Sequence, residues 1–279
     1  MVAKRGKPER GRSGGAPVLL ITGVGMAATA ALRTVPVLQR HFSVLAHYAG
    51  RPRAGSGRPR ARVTTAELAD EVAGIMEAAG QAEAHVYGIS FGGMVAQELA
   101  LRHPTRVRTL VLAATSAGGA LRVAPDEATR DFLRRRAAMP LEEGLWAAVP
   151  YSYAQATRRR HPGRIAEDIA HRLRNPIDPD EHRVQRSAAL DHDAADRVSG
   201  IVVPTLVLHG AEDRVSPPAN GQLLADAITG ARQLWVNDAA HVYPTDASES
   251  DRHVVRFLRE HSADGRRSRR TGSGRAARA

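Results

Sequence analysis

His85-Val86-Tyr87-Gly88-Ile89-Ser90-Phe91-Gly92-Gly93 sets a serine between glycines, with an apolar run before it and an amphipathic segment, 94–104, after it. This order is typical of a strand that turns sharply into a helix, because Gly88 and Gly92 have no side chain to obstruct the turn. Such a turn exposes the Ser90 hydroxyl and directs the first N–H groups of the helix toward it. A serine in an ordinary glycine turn is the alternative, and the residues downstream weigh against it.

Apolar runs and amphipathic segments alternate on both sides of this turn. Predicted strands cover 17–22, 42–48, 107–114, 202–209 and 233–236, and predicted helices cover 27–39, 65–79, 220–228 and 250–260. The helix from 65 begins at a capping box, Thr64 and Glu67, and its spacing predicts that Leu68, Val72 and Ile75 face the core. Strands that alternate with helices predict an α/β fold with a mostly parallel sheet between helical layers.

The pattern changes between 121 and 198, where no β-branched run occurs. Helical segments are predicted at 126–138, 141–149, 163–173 and 178–193. We therefore expect an α/β core at 16–120 and 199–261, with 121–198 as an inserted helical lid.

The net charge of +11 is concentrated at the two ends of the chain and in one loop. Residues 1–15 and 262–279 carry much of it, and a loop at 51–62 adds five arginines. We interpret 1–15 and 262–279 as disordered basic tails in solvent rather than as a specific nucleic-acid site.

The chain has no cysteine, so a disulfide, a thiol nucleophile and a thiolate metal site are excluded. No apolar run has the length of a signal-peptide core or a membrane span. From these features we expect a cytoplasmic protein that contacts no membrane and needs neither a cofactor nor a metal. Asp191-His192-Asp193 has the composition of a metal cluster, but the end of a lid helix is the favoured interpretation.

A serine hydroxyl needs a base to take its proton, and that base needs a partner to hold its tautomer. In the order expected for this arrangement, an acidic residue and then a histidine follow the serine, each in a loop after a strand. Asp213 and His241 occupy such loops, with Glu212 and His253 as rivals. Two further histidines at strand ends, His85 and His209, are interpreted as packing residues.

These motifs resemble the α/β-hydrolase superfamily, in particular its lid-bearing esterases, enol-lactonases and polyketide methyl esterases. The similarity covers about 17–261 and includes the Ser90 turn, His103-Pro104 and Val203–Gly210. It implies Ser90 as nucleophile, His241 as general base and then acid, and Asp213 as the residue that orients His241. It also implies an oxyanion hole formed by the backbone N–H groups of Val24 and Phe91.

Four side chains are candidates for the wall of a substrate pocket: Met26, Trp146, Tyr151 and Tyr153. For the three aromatic residues, ordinary packing within the insertion is an equal alternative.

Three departures from the superfamily pattern stand out. Relatives usually have two antiparallel strands before the Val18 strand, and here only a basic segment precedes it. The loop after the next strand lacks the usual aspartate, and Ala239-Ala240 replaces the usual glycine before His241. None of these changes removes a triad member.

The sequence thus favours a serine hydrolase that cleaves a carboxylic ester or lactone of a small to medium apolar substrate. A carbon–carbon bond hydrolase and a thioesterase with the same triad remain alternatives. A non-catalytic binding protein on the same scaffold is a rival of another class, as is a nucleic-acid-binding protein that acts through its tails.

Overall fold

The computed structural model describes residues 15–47 and 62–262. The strands of its parallel sheet lie in the order β2-β1-β3-β4-β5-β6. They are β1 Pro17–Ile21, β2 Ser43–His47, β3 Ala84–Ile89, β4 Val107–Ala113, β5 Thr205–Gly210 and β6 Arg232–Val236. The predicted α/β fold is confirmed. The predicted tails lie outside the described residues, except for Gly15 and for Ser262, which ends the last helix.

Helices connect the strands and cover both faces of the sheet. Those of the α/β part are α1 Ala27–Gln39, α2 Thr65–Ala78, α3 Phe91–Arg102, α10 Ala219–Ala227, α11 Tyr243–Asp246 and α12 Ser250–Ser262. Between β4 and β5 the described chain is helical, with α4 Glu127–Arg136, α5 Leu141–Ala147, α6 Val149–Ser152, α7 Gln155–Arg160, α8 Pro162–Arg174 and α9 Pro179–Asp191. The sequence predicted α4, α5, α8 and α9, whereas the short α6 and α7 were missed.

The alternating side chains of the strands build two cores. Leu19 and Ile21 of β1 face a cluster with α2 and α3, while Val18 and Leu20 face a second cluster with α1 and α12. A strand that is buried on both faces reads as a continuous apolar run, as β1 does in the sequence.

The buried face of α2 differs slightly from the prediction. Thr64 and Glu67 form the expected capping box, but Ile75 is 36% exposed and Met76 is buried in its place. The buried apolar residues are Leu68, Ala69, Val72, Ala73 and Met76. The buried face of α2 is rotated from the predicted face because α2 packs chiefly against α3, which lies to one side of α2.

The order of the strands determines where the chain can hold a ligand. From β1 the chain goes to β2 on one side and then to β3 on the other, so the direction of winding reverses between β1 and β3. Loops that leave the carboxyl ends of such strands diverge, and a crevice opens between them. Here those loops begin at Thr22 and Ser90. Among the described helices, none is long and apolar enough to cross a membrane.

Candidate active site

Ser90 occupies the sharp turn between β3 and α3. Its backbone is left-handed, with φ 55° and ψ −120°, a strained conformation for a residue with a side chain. A Cβ atom on Gly88 would lie 2.5 Å from the Gly92 carbonyl oxygen, and one on Gly92 would clash with the Ile21 backbone. The two glycines therefore allow α3 to start directly against β1 and β3.

Two polar side chains from distant loops form a chain of hydrogen bonds that ends at Ser90. The Nε2 atom of His241, in the loop after β6, lies 3.0 Å from Ser90 Oγ. The Nδ1 atom of the same ring lies 2.9 Å from Oδ2 of Asp213, which follows β5. A carboxylate can only accept a hydrogen bond, so Nδ1 carries the proton and Nε2 presents its lone pair to the serine hydroxyl.

The Asp213 carboxylate is held rigidly. Its Oδ1 accepts hydrogen bonds from the backbone N–H groups of Val215 and Ser216, at 2.9 and 2.8 Å. The side chain is fully buried. Burial by itself would raise the pKa of Asp213, but the His241 ring and the hydrogen bond with His209 lower it to about 2. Asp213 is therefore ionised throughout the neutral pH range.

His209 also contributes to this site. The sequence did not indicate this contribution. Its Nε2 lies 2.7 Å from the Ser216 carbonyl oxygen and 3.4 Å from Asp213 Oδ2. The carbonyl can only accept, so Nε2 carries the proton, and this polar N–H group lies beside the Asp213 carboxylate. A strand pattern does not show which loop folds back over the end of the strand. The sequence therefore predicts only a packing role for His209 at the end of β5.

The loop that carries His241 is tied to the helical segment. Oδ2 of Asp246 accepts the backbone N–H of Ala240 at 2.8 Å and that of Ala154 at 3.1 Å. Ser152 accepts the N–H of Val242. Burial raises the pKa of Asp246 to about 6, although both N–H groups favour its ionised form. The position of the His241 ring thus depends on the helices between β4 and β5.

The structure separates the rival residues from Ser90. Glu212 accepts the backbone N–H of Gln155 at the start of α7, and His253 lies exposed on α12 beside Arg256.

The three residues Asp191, His192 and Asp193 bind different partners. Asp191 pairs with Arg62, His192 bonds Thr65, and Asp193 accepts the N–H of Ala195. In the part of the chain that the structure describes, no three His, Asp or Glu side chains are grouped as metal ligands.

A cavity of about 820 Å³ opens over Ser90 and His241. Val24, Phe91 and Met26 line it. The backbone N–H groups of Val24 and Phe91 have no acceptor among residues 15–47 and 62–262. Two such groups beside a serine hydroxyl can bind a negatively charged oxygen.

The three aromatic pocket candidates are not among the residues that line this cavity, and their contacts agree with the packing alternative. Tyr151 stacks on Phe132 with ring centroids 4.0 Å apart. Tyr153 is buried and bonds Asp168, and Trp146 is 48% exposed. The sequence could not decide their directions because α5 and α6 form a short, broken helical run.

Arginines reach the cavity wall instead. The wall includes Arg136 from the end of α4, Arg172 from α8, and His182 and Arg186 from α9. Burial and the neighbouring charges of Arg172 and Arg186 lower the pKa of Arg136 to about 10. Nothing in the sequence distinguished these arginines from the many solvent-facing arginines of the same helices.

The fold and this arrangement of serine, imidazole and carboxylate define a class of proteins, the α/β hydrolases. The chain belongs to the α/β-hydrolase fold family, whose pattern matches residues 16–244.

Several relatives have named activities. The RutD protein of Azorhizobium caulinodans, provisionally named a carbamate hydrolase, is 32% identical over 82% of this chain and 85% of its own. A pimeloyl-[acyl-carrier protein] methyl ester esterase of Neisseria meningitidis is 31% identical over 57% of this chain and 62% of its own. The solved enol-lactonase of Burkholderia xenovorans LB400 superposes with a TM-score of 0.74 at 25% identity, covering 90% and 95% of the two chains. These similarities support hydrolytic activity.

Proposed function

We propose that this protein is a serine hydrolase that cleaves a carboxylic ester or lactone through an acyl-enzyme. One observation carries the proposal: His241 Nε2 lies 3.0 Å from the hydroxyl of Ser90 at a strained strand–helix turn. This distance is within the range in which a base can take a proton.

In this mechanism Ser90 Oγ attacks the ester carbonyl carbon while its proton passes to His241 Nε2. The carbonyl oxygen becomes negative and is bound by the N–H groups of Val24 and Phe91. The imidazolium, stabilised by the ionised Asp213, then gives its proton to the leaving alcohol oxygen. Water attacks the acyl-enzyme with His241 again as base, and the acid is released as Ser90 is regenerated.

The relatives favour this reaction class. The names of the Neisseria esterase and the Burkholderia lactonase describe ester and lactone hydrolysis, and that of the Azorhizobium protein describes carbamate hydrolysis. All three reactions displace a leaving group from an acyl carbon. We further propose that residues 121–198 act as a lid, because α4, α8 and α9 supply much of the cavity wall.

The test is Ser90→Ala, assayed on p-nitrophenyl butyrate and on a panel of lactones, thioesters, carbamates and dienone ring-fission products. We expect turnover of the preferred class to fall by several orders of magnitude, since the nucleophile is removed. A fluorophosphonate probe should label the unaltered protein and not the variant.

Ser199→Ala is the matched control, because Ser199 is exposed in a short 3-10 turn and does not line the cavity. It should retain full activity and labelling. Retention of most activity by Ser90→Ala would remove Ser90 from the mechanism. Preference for a dienone or a thioester would assign one of the alternative reactions to the same triad.

A further inference from the structure

Three arginines from three helices converge on the cavity that contains the reactive serine. Arg136 ends α4, Arg172 lies in α8 and Arg186 lies in α9, and all three line the wall shared with Ser90 and His241. Each is partly enclosed, with only intermediate exposure. Part of the side-chain surface that each arginine leaves accessible faces this cavity.

Within the described part of the chain, no acidic side chain neutralises these guanidinium groups. Among residues 15–47 and 62–262, no carboxylate forms a salt bridge with any of the three. Of the described residues, Gly144 alone accepts a hydrogen bond from Arg136, through its carbonyl oxygen at 2.9 Å. A charge withdrawn from water is costly unless it is paired. A structural role therefore does not explain the cluster.

Other partly enclosed arginines of the same chain show the usual solution. Arg33 donates hydrogen bonds to Asp168, at 2.9 Å, and to Glu167, and Arg108 donates two hydrogen bonds to Glu83. The cavity arginines differ because no carboxylate among the described residues pairs with them, which is the expected arrangement of a binding site for an anion.

The nearby acids do not supply that group. Asp178 is the one acid among the described lining residues, and its Oδ1 caps α9 by accepting two backbone N–H groups. Asp168 attracts Arg172 at longer range, but its oxygens already bond Arg33 and Tyr153. The sequence from 48 to 61 contains no Asp or Glu. Burial and then the arginine charges lower the pKa of His182 to about 4, consistent with an excess of positive charge.

The cluster lies close to the reaction centre. A Cβ atom on Gly25 would lie 3.5 Å from Nη2 of Arg172, and one on Gly23 would lie 3.0 Å from Cβ of Ser90. Val24, the residue between these glycines, is one member of the proposed oxyanion hole. One substrate can therefore contact Arg172 and Ser90 at the same time.

We propose that Arg136, Arg172 and Arg186 bind an oxyanion, a carboxylate or a phosphate, carried by the substrate away from its scissile ester or lactone bond. The planar guanidinium fork matches such groups with two parallel hydrogen bonds. This replaces the apolar substrate expected from the sequence, and it rests on the proposed function. The apolar part of the wall, which includes Met26, Met94, Leu133 and Ile177, would enclose the chain between the two groups.

The test compares mono-p-nitrophenyl glutarate, which ends in a carboxylate, with p-nitrophenyl hexanoate, which has a similar length and no charge. We expect kcat/KM for the glutarate to exceed that for the hexanoate by about tenfold or more, since charge-assisted hydrogen bonds are the strong ones. Arg172→Gln and Arg136→Gln should each reduce this ratio by about 10- to 100-fold. Arg172→Lys should restore part of it, because the charge remains without the fork.

Arg135→Gln and Arg174→Gln are matched controls, because both residues are exposed on the same helices as Arg136 and Arg172. Neither should change the ratio. Competitive inhibition of the unaltered protein by glutarate and by inorganic phosphate distinguishes the two kinds of oxyanion without any substitution. A ratio at or below one, together with no inhibition by either anion, would overturn the proposal even if both variants fail to fold.

The two proposals fail separately. If no ester is turned over, the hydrolase proposal fails, and calorimetric titration of Ser90→Ala with glutarate and phosphate still tests the arginines. Binding that is lost in the Ser90→Ala/Arg172→Gln double variant would support the anion site, and absence of binding would refute it. If neutral esters are cleaved and charged ones are not preferred, the hydrolase stands and the anion site is refuted.

Discussion

Asp213→Asn is expected to reverse the tautomer of His241 while leaving the loop in place. Oδ1 of Asp213 accepts two backbone N–H groups, from Val215 and Ser216. In the variant the amide oxygen must remain there, because an NH2 group would leave both donors unpaired. The NH2 group then takes the place of Oδ2, 2.9 Å from His241 Nδ1.

An NH2 group can only donate, so Nδ1 of His241 must accept and the ring proton moves to Nε2. That proton faces Ser90 Oγ, so the imidazole no longer presents a lone pair to the hydroxyl. The stabilising charge beside the imidazolium is lost as well. Together these changes cost about 10⁴-fold in kcat in triads of this kind, which corresponds to about 5.4 kcal/mol of activation free energy.

The assay measures kcat on the preferred ester, the rate of labelling by a fluorophosphonate, and the ¹⁵N shifts of His241. Both rates should fall in parallel, and the shifts should show Nε2 protonated. The melting temperature should change by only a few degrees, because both backbone hydrogen bonds remain. Glu212→Gln, a change of the neighbouring carboxylate that caps α7, should have no effect on turnover. A folded Asp213→Asn protein with kcat reduced less than about tenfold would refute the assigned role.

Gly92→Ala should destabilise the protein by about 3 kcal/mol or more, because its Cβ would clash with the Ile21 backbone, which cannot move aside. Gly74→Ala, in α2 with open space around it, should instead be neutral or stabilise by up to about 1 kcal/mol, and chemical denaturation checks both. Burial raises the pKa of Asp251 to about 6, although the Tyr87 hydroxyl bonds it. Because the pKa of Asp251 is higher in the folded state than in the unfolded state, this group stabilises the fold below about pH 4. That contribution is lost as the pH rises through 6. The unfolding free energy of the unaltered protein minus that of Asp251→Asn should therefore fall by about 3 kcal/mol between pH 4 and 7, and a flat difference would contradict this.

The comparison with Asp251→Asn isolates the contribution of Asp251. Buried histidines also change the stability with pH, in the opposite direction, but they do so in both proteins. Burial lowers the pKa of His85 and of His192 to about 4. Their neutral forms are favoured in the folded state, so their contribution to stability increases as the pH rises from 4 toward 6.5. It cancels when the two proteins are compared at each pH.

The fold class, and the loops that carry the proposed catalytic side chains, could be predicted from the sequence. Apolar runs such as β1 are typical of strands buried on both faces of a parallel sheet, and the glycines around Ser90 are typical of a sharp strand–helix turn. Asp213 and His241 were found because chain order and strand ends are both linear properties of the sequence.

Which side chains line the cavity depends on the tertiary packing. Arg136, Arg172 and Arg186 are separated by 14 to 50 positions and face one space only because α4, α8 and α9 fold over the sheet edge. The same packing turned three aromatic side chains away from the cavity and brought His209 beside Asp213. Helix periodicity gives the buried face of an isolated helix, but which helix faces which loop depends on contacts between residues far apart in the chain. Substrate selectivity depends on those contacts, and for that reason it could not be inferred from the sequence.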